Sequence, residues 1–305
     1  MNGQSVRVRR YYEANTRWML ARGSGRGEGV IHRPVWLPGR SSRAQAVRSV
    51  DSLILDRLVF AAESPADRPE RPFRLLDLGC GGGATAVWLA ERLPARITGI
   101  TLSSRQVQLA RRLAESRGMG ERCRFVEGDF LDPEVLGSET AEVGLAGFDA
   151  LYAIEAFSHA DDPEAFLAQA ARRLAPGGLL ILCDDFPGTT DIEPAAEPSL
   201  EAPAVIAARR SRWLEAFRRG WHLGPLASED EVAAAAQRQG LRLMERIDLS
   251  EYLGDRSGWA RVVYPLLRAL PGRGPWVSSK RGSAALQICL HRHWVRYLFL
   301  LFRKD

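Results

Sequence analysis

Lysine and cysteine are both scarce in this chain, and each shortage narrows what the protein can be. Lys280 and Lys304 are the only lysines. Nearly all positive charge therefore rides on arginine, whose planar fork suits carboxylates and phosphates better than a point-charge ammonium does. The four cysteines, Cys80, Cys123, Cys183 and Cys289, are scattered without C-x-x-C spacing and sit mostly in apolar contexts. That pattern argues against a disulfide framework or a zinc site and fits a reducing cytoplasm. No uninterrupted apolar run reaches the roughly 18 residues of a membrane span. The N-terminal arginines are not followed by the apolar segment of a secretory signal. Carboxylate clusters of the D-D-x-x-D type are missing as well, so no metal site is expected.

What is present suffices for a large core, since 46% of the 305 residues are hydrophobic,. The formal charge of +5 conceals an asymmetry: residues 1–50 hold ten arginines against Glu13 and Glu28, a balance of +8, which leaves −3 for the remainder. Such a segment is either a solvated basic face or a surface for an anionic acceptor. Nucleic acid is not expected, because no recognition helix, zinc finger or ribonucleoprotein motif accompanies the charge.

The polar, proline-broken stretch "AAESPADRPERP" (61–72) closes a basic and aromatic N-terminal segment, residues 1–70. From residue 71 the chain alternates. "FRLLDLGC", "RITGITL", "CRFVEGDF", "FDALYAI" and "LLILCDD" read as strands; "ATAVWLAERL", "SSRQVQLARRLAESRG" and the stretch opened by Asp162-Pro163 carry helical spacing,. This alternation predicts an α/β fold with a doubly wound, mostly parallel sheet. "PGG" is expected to end the third helix. Past residue 186 the alternation stops. Residues 187–224 read as a lid, a connector followed by a helix with Trp213, Leu214, Phe217 and Trp221 on one face. Residues 225–305 add a helix, "LRLMERIDL" as a sixth strand and "WVRYLFLLFRK" as a last one.

"LLDLGCGGGATA" places glycines between a strand and a helix, where backbone N–H groups and the helix N-terminus can approach a ligand. Gly79, Gly81 and Ala84 satisfy the dinucleotide pattern G-x-G-x-x-G/A, which keeps a nicotinamide or flavin enzyme in view. Two details oppose it. The second strand ends in "GITLSS" without a carboxylate for a ribose, and Asp77 faces the space where a cationic or amine-bearing ligand would sit.

In order and spacing, residues 71–186 resemble a class I S-adenosylmethionine-dependent methyltransferase. "LLDLGCGGG" is similar to the family's first motif, "EGDF" to its adenine-side motif, and "LAPGGLLILCDD" to the helix, turn and fifth strand that follow. The resemblance implies a seven-stranded Rossmann-like sheet with an antiparallel final strand and helical cap elements. It also implies S-adenosylmethionine as cofactor and S-adenosylhomocysteine as product. "GITLSSRQ" resembles the corresponding stretch of a subgroup that includes cyclopropane fatty acid synthases, sterol and tocopherol methyltransferases, and prenyl diphosphate C-methyltransferases. Carried over, Asp77, Gly79 and Gly81 would contact the methionine portion, Thr101, Leu102 and Gln106 the ribose and nearby atoms, and Asp129 and Phe130 the adenine. Cys80 and Ile154 complete the expected cofactor set.

"IEAFSH" follows the fourth strand into the region beyond the carboxyl ends of the strands, where doubly wound sheets bind ligands. It resembles the Glu and His segment of sterol and tocopherol methyltransferases, which implies Glu155 and His159 as candidate catalytic residues. Methyl transfer from a sulfonium needs in-line approach and, for some nucleophiles, removal of a proton, which either side chain can perform. Of the eight tryptophans only Trp88 lies within 71–186, and aromatic faces in a dry pocket could stabilise a carbocation formed by methylating an alkene. Tyr11 and Tyr12 resemble the cap helix of the same subgroup; with Trp18, His32, Trp36, Phe157 and Trp221 they are the candidate substrate-binding residues. The expected partner is a small hydrophobic acceptor, isoprenoid-like or lipid-like and anionic at one end, methylated at carbon. O- or N-methylation of a natural-product scaffold is a second reading. A cyclase or isomerase that keeps the cofactor only as scaffold is a third. Peripheral contact of the helix from Arg209 to Trp221 with an anionic membrane is compatible with the first.

Overall fold

Short apolar runs bounded by glycine or polar turns become the strands of one sheet, and the amphipathic stretches between them cover its two faces. The computed structural model describes residues 2–22, 28–63, 71–136, 147–188, 203–254 and 274–305. Residues 64–70 of the expected connector and 189–202 of the expected lid lie outside them.

Strands β1 (Phe73–Leu78), β2 (Ala95–Thr101), β3 (Cys123–Glu127), β4 (Phe148–Ile154), β5 (Leu174–Pro187), β6 (Leu241–Asp248) and β7 (Val295–Lys304) form one sheet in the order β3-β2-β1-β4-β5-β7-β6. β1 pairs in parallel with β2 and β4, β2 with β3, and β4 with β5. β7 runs antiparallel to both β5 and β6. This is the doubly wound, mostly parallel sheet that the alternation predicts, with the antiparallel last strand that the resemblance implies. The chain moves outward from β1 to β3 on one side and then crosses to β4 on the other. The order therefore reverses between β1 and β4, and a crevice opens beyond their carboxyl ends.

Helices α1 (Gly3–Arg22), α2 (Arg43–Val47), α3 (Ser49–Glu63), α4 (Ala84–Ala90), α5 (Ser104–Ser116), α6 (Pro163–Arg173), α7 (Pro203–Trp221), α8 (Glu229–Arg238) and α9 (Pro275–His291) surround the sheet. Helix starts follow their capping residues: Ser103 accepts from the Gln106 N–H, and Asp162 accepts from the Ala165 N–H just before Pro163,. On one face Ile54, Leu58, Leu89, Val107 and Ala110 pack with Leu75, Ile97 and Ile181. On the other, Phe166, Leu167, Val232 and Ala236 pack with Leu76, Leu151 and Leu180. A smaller cluster of Phe217, Leu286, Cys289 and Trp294 joins α7 to α9. Their backbones meet at glycines, since a Cβ on Gly220 would stand 2.3 Å from the Gly282 Cα.

Two expectations change. β5 begins at Leu174, ahead of the Pro-Gly-Gly turn, because Leu174 already pairs with Phe148 before the register shifts. The segment read as basic and aromatic also contains α2 and α3, whose Val50, Ile54 and Leu58 are buried. All four cysteines are free and buried. No helix among the described residues is long and apolar enough to cross a membrane.

Candidate active site

At the reversal point, under α1, lies a cleft of about 1030 Å³, its open mouth included. All ten positions expected at a cofactor line it: Asp77, Gly79, Cys80, Gly81, Thr101, Leu102, Gln106, Asp129, Phe130 and Ile154. Tyr12, His32, Glu155 and His159 line it too. The glycine turn shapes one wall. Gly79 has φ +86°, and a Cβ there would stand 2.4 Å from the Ala156 Cβ, so only glycine lets this turn pass so close to the end of β4,. The N–H groups of Gly79 and Cys80 both donate to the Ile100 carbonyl at 2.9 Å, which fixes the turn to β2.

Asp77 sits at the floor. Burial pushes its carboxyl up to about 8; the neighbouring Tyr152 hydroxyl and His32 draw it down, while Asp51 adds to the rise. No basic side chain pairs with it among the described residues. A buried carboxyl in this condition fits a ligand that brings its own positive charge, as an amino acid terminus or a sulfonium does. Behind it Asp51, fully buried on α3, accepts from Thr85 Oγ1 at 2.8 Å and from Arg48 Nη1 at 2.7 Å. His32 Nε2 stands 3.5 Å from the same carboxylate. Burial opposes ionisation of Asp51, but His32 and Arg48 outweigh it and hold the carboxyl below its usual range; His32 is raised in return, against its own burial. Asp51 escaped the sequence reading, although an acid one step off the Val50, Ile54, Leu58 stripe was a readable signal.

The adenine-side loop is held from two directions. Asp129 accepts from the Ser5 hydroxyl of α1. The Arg173 guanidinium donates to the Phe130 and Asp132 carbonyls at 2.6 and 2.7 Å. Thr101 and Gln106 hydrogen-bond each other, and Gln106 Nε2 donates to Thr16 Oγ1 of α1 at 3.1 Å.

Glu155 reaches the cleft with φ +51°, a left-handed backbone uncommon outside glycine,. Its Oε1 accepts from the Arg33 main-chain N–H at 2.9 Å, from Arg33 Nε at 3.0 Å and from the Tyr297 hydroxyl at 3.0 Å. Burial alone would raise this carboxyl, yet Arg33 and His32 hold it below the usual range. The carboxylate expected to move protons is thus committed to an ion pair and is a poor base. Arg33 also pairs with Asp185 at 2.9 Å. Even so, burial raises Asp185 to about 7 and its neighbour Asp184 to about 6. Neither aspartate was anticipated, because both lie inside what reads as a plain buried strand.

His159 differs. Its Nε2 is 2.8 Å from the Tyr12 hydroxyl and its Nδ1 3.3 Å from the His222 carbonyl. Burial pulls it down to about 4, so the imidazole is neutral at physiological pH.

The remaining aromatic positions do not line the cleft. Tyr11 is buried and donates to Ser279 Oγ at 2.9 Å. Trp18 stacks under Lys280 Nζ at 4.0 Å, and Trp36 lies beside Gly254 at the surface. Phe157 packs between Phe166 and Phe186, and Trp221 against Phe217 and Gly282. Neighbours on a helix point about 100° apart, so when Tyr12 turns to the cleft Tyr11 turns to α9. Among the described residues no cluster of histidine, cysteine or carboxylate is arranged to hold a metal ion.

Comparison with known proteins bears on the family. A family model described as a methyltransferase domain matches residues 76–182. An O-methyltransferase of Aspergillus nomiae is 31% identical over 181 residues, 59% of this chain and 69% of the relative. The 24-methylenesterol C-methyltransferase 2 of Oryza sativa subsp. japonica is 30% identical over 215 residues, 70% of this chain but only 51% of the relative. Among solved structures, the 4+2 cyclase SpnF matches with a TM-score of 0.70 at 23% identity, covering 99% of this chain and 96% of that one, a likeness of fold.

Proposed function

This chain belongs to the S-adenosylmethionine-dependent methyltransferases, and on that premise we propose that it methylates a small hydrophobic acceptor at oxygen, with His159 as the terminal base of the proton transfer. The bound donor supplies a methyl group activated by its sulfonium. Asp77 would balance the donor's positive charge, with the Gly79–Gly81 turn alongside. Thr101, Leu102 and Gln106 would meet the ribose, Asp129 and Phe130 the adenine. Val8, Val30, Ile31, Leu131 and Ala160 line the same cleft and suit an apolar acceptor.

The observation that carries the reading is the neutral His159 in the cleft that Asp77 also lines. An imidazole that is unprotonated at working pH can take up a proton in the transition state, directly or through a hydrogen-bonded hydroxyl. Glu155, held by Arg33, is a poorer acceptor of one. Labelled S-adenosylmethionine offered with phenols, alkyl alcohols and prenyl alcohols should leave its label on oxygen, with one S-adenosylhomocysteine released per methyl. Label found only on carbon would reject the oxygen assignment.

Methylation at carbon is the second reading, supported by the likeness to the rice sterol enzyme. Among the described residues its aromatic lining is thinner than expected: of the tyrosine, phenylalanine and tryptophan substrate candidates Tyr12 lines the cleft, joined by Phe130. A carbocation there would have fewer ring faces to stabilise it.

A further inference from the structure

The contacts of His159 fix its tautomer. The His222 carbonyl can only accept, so His159 Nδ1 carries the proton and Nε2 presents its electron pair,. The Tyr12 hydroxyl, 2.8 Å away, then donates to Nε2 and covers it, while the Tyr12 oxygen keeps its own electron pairs for the cleft that it lines. We propose that Tyr12, not His159, meets the acceptor's proton, and that Tyr12, His159 and the His222 carbonyl form a relay that carries it away from the acceptor. The proposal rests on methyl transfer being the reaction of this cleft.

The step balances as follows. An electron pair of the acceptor oxygen forms the bond to the methyl carbon, and the pair of the broken carbon–sulfur bond stays on sulfur as a neutral thioether. The acceptor's proton passes to the Tyr12 oxygen as the Tyr12 proton passes to Nε2. The positive charge lost at sulfur reappears on the imidazolium.

Helix α1 delivers the relay as a unit. Besides Tyr12 it supplies Gln4, whose Nε2 donates to the same His222 carbonyl at 2.6 Å. His222 itself has φ +56°, just beyond the end of α7, and the Tyr11 ring meets it edge-on. The orienting carbonyl is thus held by α1 as well as by the turn.

Burial holds the Tyr12 hydroxyl protonated, with Tyr11, Glu155 and Asp184 adding to the effect, so it has a proton to pass on. Burial pulls His159 down to about 4; the His222 ring also lowers it, and the His222 carbonyl and Glu155 oppose. An alcohol becomes strongly acidic once the methyl begins to bond, which is when a weak base can act.

Imidazole 15N NMR of 15N-histidine-labelled full-length protein tests the relay, with S-adenosylhomocysteine as probe and His159→Gln to assign the signal. Expected at pH 7 is a neutral Nδ1–H tautomer for His159, with an Nε2 resonance that moves in Tyr12→Phe. An Nε2–H tautomer, an imidazolium at pH 7, or an Nε2 resonance indifferent to a folded Tyr12→Phe overturns the proposal. The native tautomer decides even if that variant fails to fold. Failure of native protein to bind the probe by calorimetry would instead remove the methyl-transfer reading beneath it.

Discussion

Arg33 holds one oxygen of Glu155 twice, through its main-chain N–H at 2.9 Å and its guanidinium Nε at 3.0 Å. The same guanidinium reaches Asp185, so a single buried cation neutralises carboxylates at the ends of β4 and β5. It ties the segment before α2 to the sheet and removes Glu155 from acid–base work. Replacing Arg33 with Met strands both carboxylates, and losing one partner of a buried pair costs about 3–5 kcal/mol. Urea unfolding should show a loss of that order. Glu155→Gln should cost less, because the amide oxygen still accepts from Arg33 and Tyr297. A change below about 1 kcal/mol in Arg33→Met would mean that water already solvates this cluster.

Asp77 couples donor binding to pH. Its folded pKa of about 8 lies above the unfolded value of ~3.9, so the native protein holds this proton through the window between. The stability it contributes is full below about pH 4 and lost as pH rises through about 8. Binding runs the other way, since a cationic donor selects the ionised carboxylate. At pH 7 donor binding should release nearly one proton, and affinity should climb between about pH 6 and 9. Calorimetry in buffers of different ionisation heat counts that proton. Asp77→Asn should abolish the release, and proton uptake by native protein would refute the placement.

At Gly79 an added methyl has no room, being 2.4 Å from the Ala156 Cβ at φ +86°. Gly79→Ala should lose more than tenfold in S-adenosylhomocysteine affinity, with backbone strain of about 1–3 kcal/mol appearing as lowered stability. Unchanged affinity would show that the turn does not shape the donor site.

How legible this was follows the range of the interactions. The strand ends, the glycine turn and the residues just after β2, β3 and β4 are set by local backbone geometry, and all ten expected cofactor positions line one cleft. The pairings that decide the chemistry are not local. Arg33 and Glu155 are 122 positions apart, Arg33 and Asp185 152, and no periodicity announces which arginine of a basic segment turns inward. Tyr11 and Tyr12 are adjacent yet face different neighbours, so composition could count aromatic rings without assigning them to a surface. Trp18, Trp36 and Trp221 went to packing and to the exterior for that reason. Asp51 was within reach, because the apolar stripe of α3 was readable and an acid beside it in an arginine-rich segment asks for a partner.

Arg173 spends its fork on two carbonyls of the adenine-side loop. Burial draws this guanidinium down to about 10, a sign of how little water it keeps. Arg173→Met should free the loop and weaken S-adenosylhomocysteine binding about tenfold, roughly 1.4 kcal/mol. Equal affinity in the variant would show that the loop holds its shape without the arginine.

A crystal structure with S-adenosylhomocysteine tests the whole arrangement most directly. The expected result is the amino acid end beside Asp77, the adenine between Asp129 and Phe130, and the thioether sulfur facing the space next to Tyr12 and His159. A sulfur turned away from that pair, with Tyr12 and His159 walled off from it by protein, would contradict the assignment of both residues to methyl transfer.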